Sequence, residues 1–176
     1  MAPHNNLIFI GPTGAGKTTV GRQVAEHLGL TFMDLDQEIE RHTGADIPLI
    51  FDLEGEPGFR RRETGMLKTL CSKVGILLAT GGGAVVADEN QQLMKRCGFI
   101  VYLATPIERQ IQRLSRDKRR PLLSAPNRDQ VLAEMAASRN PIYDALADLK
   151  ILSDAVSVNQ MSRRVLAQIE RSSYEQ

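Results

Sequence analysis

Long apolar runs, paired cysteines and a strong net charge are all missing from these 176 residues. No stretch reaches the roughly 18 apolar residues a membrane helix needs, so a spanning helix is excluded. The two cysteines, Cys71 and Cys97, lie far apart and fit neither a CxxC motif nor a zinc pattern, so both are read as reduced and structural. His4, His27 and His42 share no ligand spacing and are read as surface or satisfied histidines. A net charge of +1 argues against a nucleic-acid footprint spread over the whole surface, so any basic site must be local. The opening MAPHNN lacks a basic segment followed by an apolar run; the expected location is the cytoplasm. There is no repeat, low-complexity tract or linker, and the length suits one domain over residues 1–176.

What is present is an alternation. Leu7–Ile10 is a continuous apolar run, the pattern of a strand buried on both faces. Further strands are expected over residues 31–35, 75–80, 99–103 and, more weakly, 150–153. Val20, Val24 and Leu28 recur at a spacing of four before Gly29, which marks a helix and its stop. Helices are expected over residues 57–73, 88–96, 105–114, 127–138 and 157–171. The third of these opens on TPIE, a capping box with proline at the first helical position. The fourth is expected to stop before Pro141. The fold class is α/β, a parallel sheet with helices on both faces, and its ligands belong at the carboxyl ends of the strands.

Between the first strand and the first helix lies GPTGAGKT. Gly11, Gly16, Lys17 and Thr18 satisfy G-x-x-x-x-G-K-[ST]. Glycines let successive N–H groups turn inward around phosphate oxygens, and the helix start adds partial positive charge. Gly11, Gly14, Ala15, Gly16, Lys17, Thr18 and Thr19 form the expected nucleotide-binding set, with Lys17 on the β- and γ-phosphates and the Thr18 hydroxyl on Mg²⁺. The anion is read as a nucleoside triphosphate. No NKxD signature and no apolar strand closing on an aspartate are present, which argues against a GTPase, and the size leaves little room for a motor.

Four further stretches carry chemistry. DLD sets Asp34 and Asp36 at the end of the second strand, where residues two apart point the same way. One carboxylate could orient metal-bound water and the other accept a proton from an attacking hydroxyl; a helix N-cap is the competing role for Asp36. GFRRRE places three arginines in a row on a helix, about 100° apart, so at most one faces the cleft. TGGGA, at the end of the third strand, lets the backbone approach a ligand closely. RLSRDKRRPLL is the local basic site, read as a loop closing over phosphates. Nucleic-acid contact is the rival there, and no aromatic residue lies nearby to stack a base.

GPTGAGKTT, FMDLD, GEPGFRRRE, TGGGA and RRPLL, in that order and followed by RNPIY, resemble the shikimate kinases from Leu7 to about Ile169. The resemblance implies a three-layer P-loop fold with a five-stranded parallel sheet, a substrate-binding segment over residues 34–63 and a mobile lid over 113–125. It implies transfer of the γ-phosphoryl group of ATP, with Mg²⁺, to the 3-hydroxyl of shikimate in aromatic amino-acid biosynthesis. By the same resemblance Asp36 holds substrate hydroxyls and is the base, and Asp34 supports the metal. Arg60 and Arg139 clamp the carboxylate, Gly82 contacts a hydroxyl, Arg120 reaches the phosphates and Arg113 stacks on adenine. Lys17, Asp36 and Arg120 would be the catalytic set. Partners would be the small substrate alone, without nucleic acid or membrane, and the chain a monomer. Two departures stand out: Thr18 replaces the commoner serine, and SDAVSVNQ lacks an Asn-Pro, leaving Asn159 and Gln160 as candidates for the adenine wall. The alternative is a related kinase for another hydroxy acid such as gluconate, which should lack the FRRRE and TGGGA pair.

Overall fold

The computed structural model describes residues 6–115, 127–154 and 157–174. Five strands form one parallel sheet in the order β2-β3-β1-β4-β5: β1 (Leu7–Ile10), β2 (Thr31–Asp34), β3 (Ile76–Ala79), β4 (Phe99–Ala104) and β5 (Leu149–Leu152). The three central strands, β1, β3 and β4, are buried along their whole length, as their unbroken apolar runs require. Side chains alternate between two cores. Ile8, Ile10, Leu78 and Tyr102 face one way; Leu7, Phe9, Leu77 and Val101 face the other.

The second core is covered by α1 (Lys17–Leu28) and α7 (Val158–Tyr174), through Val20, Val24, Met161, Val165 and Ile169. The first is covered by α2 (Leu35–Thr43), α3 (Ile47–Leu70), α4 (Asp88–Cys97) and α6 (Arg128–Leu146). A short 3-10 turn, Ala84–Val86, follows β3, and α5 (Ile107–Leu114) follows β4. The three layers and five parallel strands match the expected class. Cys71, at the end of α3, and Cys97, at the end of α4, are free thiols that pack on the same core.

Four local expectations need correction. The second strand ends at Asp34, so Asp36 lies in the first turn of α2. The Asp34 carboxylate caps that helix, accepting from the Asp36 and Gln37 N–H groups at 3.1 and 3.2 Å, and the chain leaves the strand there. The TPIE box does not form. Pro106 stays extended as the N-cap, which leaves Thr105 one residue too early, and no side chain caps α5. Pro141 does not end its helix, which runs on to Leu146. An interior proline costs about 3 kcal/mol, and burying Tyr143 and Leu146 contributes about 1.5–3 kcal/mol each in the other direction. Finally, α3 starts ten residues before the expected 57, capped by Asp46 on the Leu49 N–H at 2.9 Å. Gly55, with φ 66°, kinks α3 just before Pro57 and reorients the arginine-bearing half.

Candidate active site

The loop after β1 is shaped by what a Cβ would strike. At Gly11 it would lie 2.6 Å from the Leu103 carbonyl oxygen, a backbone atom that cannot give way. Gly16 takes φ 87° as the N-cap of α1, in the left-handed region that glycine adopts freely. Lys17 is buried, and its ammonium donates to the Gly11 and Pro12 carbonyls at 2.7 and 2.8 Å, closing the loop on itself. Ala15 N–H donates to the Pro12 carbonyl at 3.2 Å, and the Thr19 hydroxyl to the Gly16 carbonyl at 3.2 Å. The Thr18 hydroxyl donates to Asp34 Oδ2 at 2.7 Å. One Asp34 oxygen thus caps α2 while the other holds Thr18, and this pair of hard oxygens beside the loop suits a magnesium site.

Arg113, at the end of α5, fastens the loop from outside. Its guanidinium donates to the Gly14 carbonyl at 2.8 Å, the Ser153 hydroxyl at 3.3 Å and the Asp154 carbonyl at 2.8 Å. The Ser153 hydroxyl donates to the Ala15 carbonyl at 2.9 Å. Asn159 accepts from Gln23 on α1 at 2.9 Å, and Gln160 accepts from the Ser157 N–H at 3.2 Å. Arg120 and most of the 113–125 segment lie outside the described residues.

Beside the loop opens a cavity of about 570 Å³. It meets the loop at Pro12, Thr13 and Thr18 and is lined by Asp34, Asp36, Arg60, Glu63, Gly82 and Arg139, among others. Residues from α2, α3, the glycine turn and α6 therefore converge on one space. Asp36 lies against Gly81, where a Cβ would come 3.0 Å from its Oδ1. The Arg60 guanidinium packs against Gly83, where a Cβ would meet it at 2.5 Å and push the arginine out of this position. Of the three consecutive arginines, Arg60 alone lines the cavity, Arg61 is exposed, and Arg62 pairs with Glu54 at 2.8 Å. That is the division the 100° helical step requires.

Two residues of this site carried no assigned role in the sequence. Glu63, only 1% exposed, pairs with Arg60 at 2.9 Å. Burial pushes the Glu63 carboxyl up; the charge and hydrogen bond of Arg60 only partly reverse this, and Asp36 adds to the rise. Burial pulls Arg60 down, but Glu63 and Glu56 outweigh it and hold the guanidinium charged. The signal available was the i,i+3 Arg–Glu spacing inside GFRRRE. The second is Tyr143, fully buried, whose hydroxyl donates to the Gly82 carbonyl at 2.5 Å. It stands one turn after Arg139 in RNPIY.

A triphosphate loop fused to a cavity lined by arginines, carboxylates and bare backbone defines a P-loop phosphotransferase that acts on a small acidic acceptor. The shikimate kinase family model matches residues 13–170, and the chain belongs to that family. It is 48% identical to a shikimate kinase of Thioalkalivibrio sulfidiphilus over 97% of this chain and 88% of that one. It is 47% identical to shikimate kinase 1 of Erwinia tasmaniensis over 98% and 100%. The solved shikimate kinase of Acinetobacter baumannii in complex with shikimate superposes with a TM-score of 0.93 at 46% identity, covering 97% of this chain and 95% of that chain. A gluconokinase of Sinorhizobium meliloti shares the fold alone, at a TM-score of 0.60 and 16% identity.

Proposed function

We propose that this enzyme transfers the γ-phosphoryl group of ATP to the 3-hydroxyl of shikimate, giving ADP and shikimate 3-phosphate for aromatic amino-acid biosynthesis. The observation that carries this reading is the convergence of Asp36, Arg60, Gly82 and Arg139 on one cavity beside Thr18. Shikimate is a small carboxylate with three hydroxyls. Arg60 and Arg139 bind its carboxylate as guanidinium forks. Asp36 and the Gly82 backbone hold ring hydroxyls. The attacking 3-hydroxyl loses its proton to the Asp36 carboxylate as its oxygen bonds to phosphorus and the bond to ADP breaks.

On the donor side, the loop N–H groups and the start of α1 hold the phosphates. Lys17 leaves the Gly11 and Pro12 carbonyls for the β- and γ-phosphate oxygens. Thr18 and Asp34 would hold Mg²⁺, which when bound neutralises phosphate charge. Arg113 meets adenine with its face, while its edge keeps the Gly14 and Asp154 carbonyls. Arg120 belongs to a lid over residues 113–125 within one kinase domain, and residues 34–63 form the acceptor segment. The enzyme is taken as a cytoplasmic monomer with no nucleic-acid or membrane partner; among the described residues no helix is long and apolar enough to cross a membrane. ADP release measured with shikimate, with gluconate and with no acceptor tests the reading. Release that depends on shikimate is expected, and release that depends on gluconate, or on neither, overturns it.

A further inference from the structure

Tyr143 lines the acceptor cavity and joins two of its walls. Its hydroxyl reaches from α6 to the Gly82 carbonyl at 2.5 Å, across 61 residues of sequence. A carbonyl can only accept, so the phenol must donate. Burial pushes the phenol pKa up, which keeps that proton in place. The ring is itself held, stacked on Tyr102 of β4 with centroids 5.0 Å apart.

The Gly82 carbonyl and the Gly83 N–H belong to one planar trans peptide and point in opposite directions. Holding the oxygen therefore fixes the direction of that N–H. Both glycines are buried, and both line the cavity. Among the described residues, neither the Gly82 nor the Gly83 N–H meets a protein acceptor. Buried N–H groups normally find a partner, and these two belong to residues that line the acceptor cavity. Gly82 also packs against the phosphate loop, where a Cβ would come 3.3 Å from the Thr13 nitrogen. The glycine turn is thus gripped between the donor loop and Tyr143.

We infer that Tyr143 is a positioning residue for the acceptor: it locks the Gly82–Gly83 peptide at a fixed distance from Arg139, one turn back on the same helix, so that hydroxyl donors and carboxylate clamp match one rigid substrate. This rests on the proposed function. It makes the hydrogen bond a specificity device for the acceptor that leaves the nucleotide site alone.

Steady-state kinetics of Tyr143→Phe test it, with Leu146→Val as a control that perturbs the buried face of the same helix outside the cavity. Tyr143→Phe should raise the shikimate KM about tenfold and change the ATP KM less than twofold, while Leu146→Val lowers Tm and moves neither KM. Equal KM shifts for both substrates, or no shift, would make Tyr143 a packing residue and overturn the inference. Amide exchange of the wild type provides a second reading that needs no variant. Saturating shikimate should slow the Gly82 and Gly83 amides at least tenfold, and unchanged exchange also overturns the inference. If the wild type turns over no shikimate, the proposed function has failed and this inference fails with it. Shikimate turnover with an unmoved Tyr143→Phe KM removes the inference alone.

Discussion

Under the proposed function, the donor and acceptor halves of this site are built in opposite ways. The donor half is local. Lys17 reaches carbonyls only five and six residues back, and Gly11 to Thr19 form one uninterrupted loop and helix start. The acceptor half is assembled. Asp36, Arg60, Gly82 and Arg139 come from α2, α3, the turn after β3 and α6, and the Tyr143–Gly82 bond spans 61 residues. A local cradle depends on the backbone conformation of a few residues. An assembled pocket depends on helix packing, so changes away from the ligand can alter it.

Removing chemistry from each half separately shows whether the two work independently. Asp36→Asn keeps the size of the side chain but removes the base and one hydrogen-bond acceptor for the substrate hydroxyls. Turnover should fall by about 10²–10⁴ with ATP binding near normal; activity within tenfold of wild type removes Asp36 from the base role. Lys17→Met should cost roughly 10²–10³ in turnover through lost phosphate stabilisation, with shikimate binding intact by calorimetry. A variant that loses acceptor binding instead would show that the halves are not separable.

Arg60→Ala acts on the acceptor half only. Its side chain is 28% exposed, which puts the loss at the low end for a desolvated charge pair, about 2 kcal/mol or about 30-fold in shikimate KM. An unchanged shikimate KM, or an equal rise for ATP, contradicts the clamp. The smallest effect is on stability. The buried Glu63 carboxyl titrates above its ordinary 4.5, so the folded state binds more protons than the unfolded state in the window just above that value. Stability therefore falls as pH rises through that window. The Tm of wild type relative to Glu63→Gln should drop across it, and a pH-independent difference would show that Arg60 fully compensates the burial.

Legibility in the sequence follows the same division. The loop was readable because its chemistry is contiguous: Gly11, Gly16, Lys17 and Thr18 hold the positions their pattern requires. The buried strands were readable from unbroken apolar runs. In the acceptor half the residue types were visible but not their setting. Asp36 reads as a strand residue until Asp34 is seen to cap α2 and turn the chain. Pro141 reads as a helix stop until Tyr143 and Leu146 are seen buried beyond it. The helix expected from residue 57 onward omits the first half of α3, which lies before the Gly55 kink. Glu63 and Tyr143 lie inside motifs that were noticed, but their partners become visible only once separate elements pack together.

The most direct measurement is a crystal structure with ADP and shikimate bound. It should show the carboxylate between Arg60 and Arg139 and a ring hydroxyl on Asp36. Shikimate bound elsewhere, or turned with its carboxylate toward Asp36, would contradict the account.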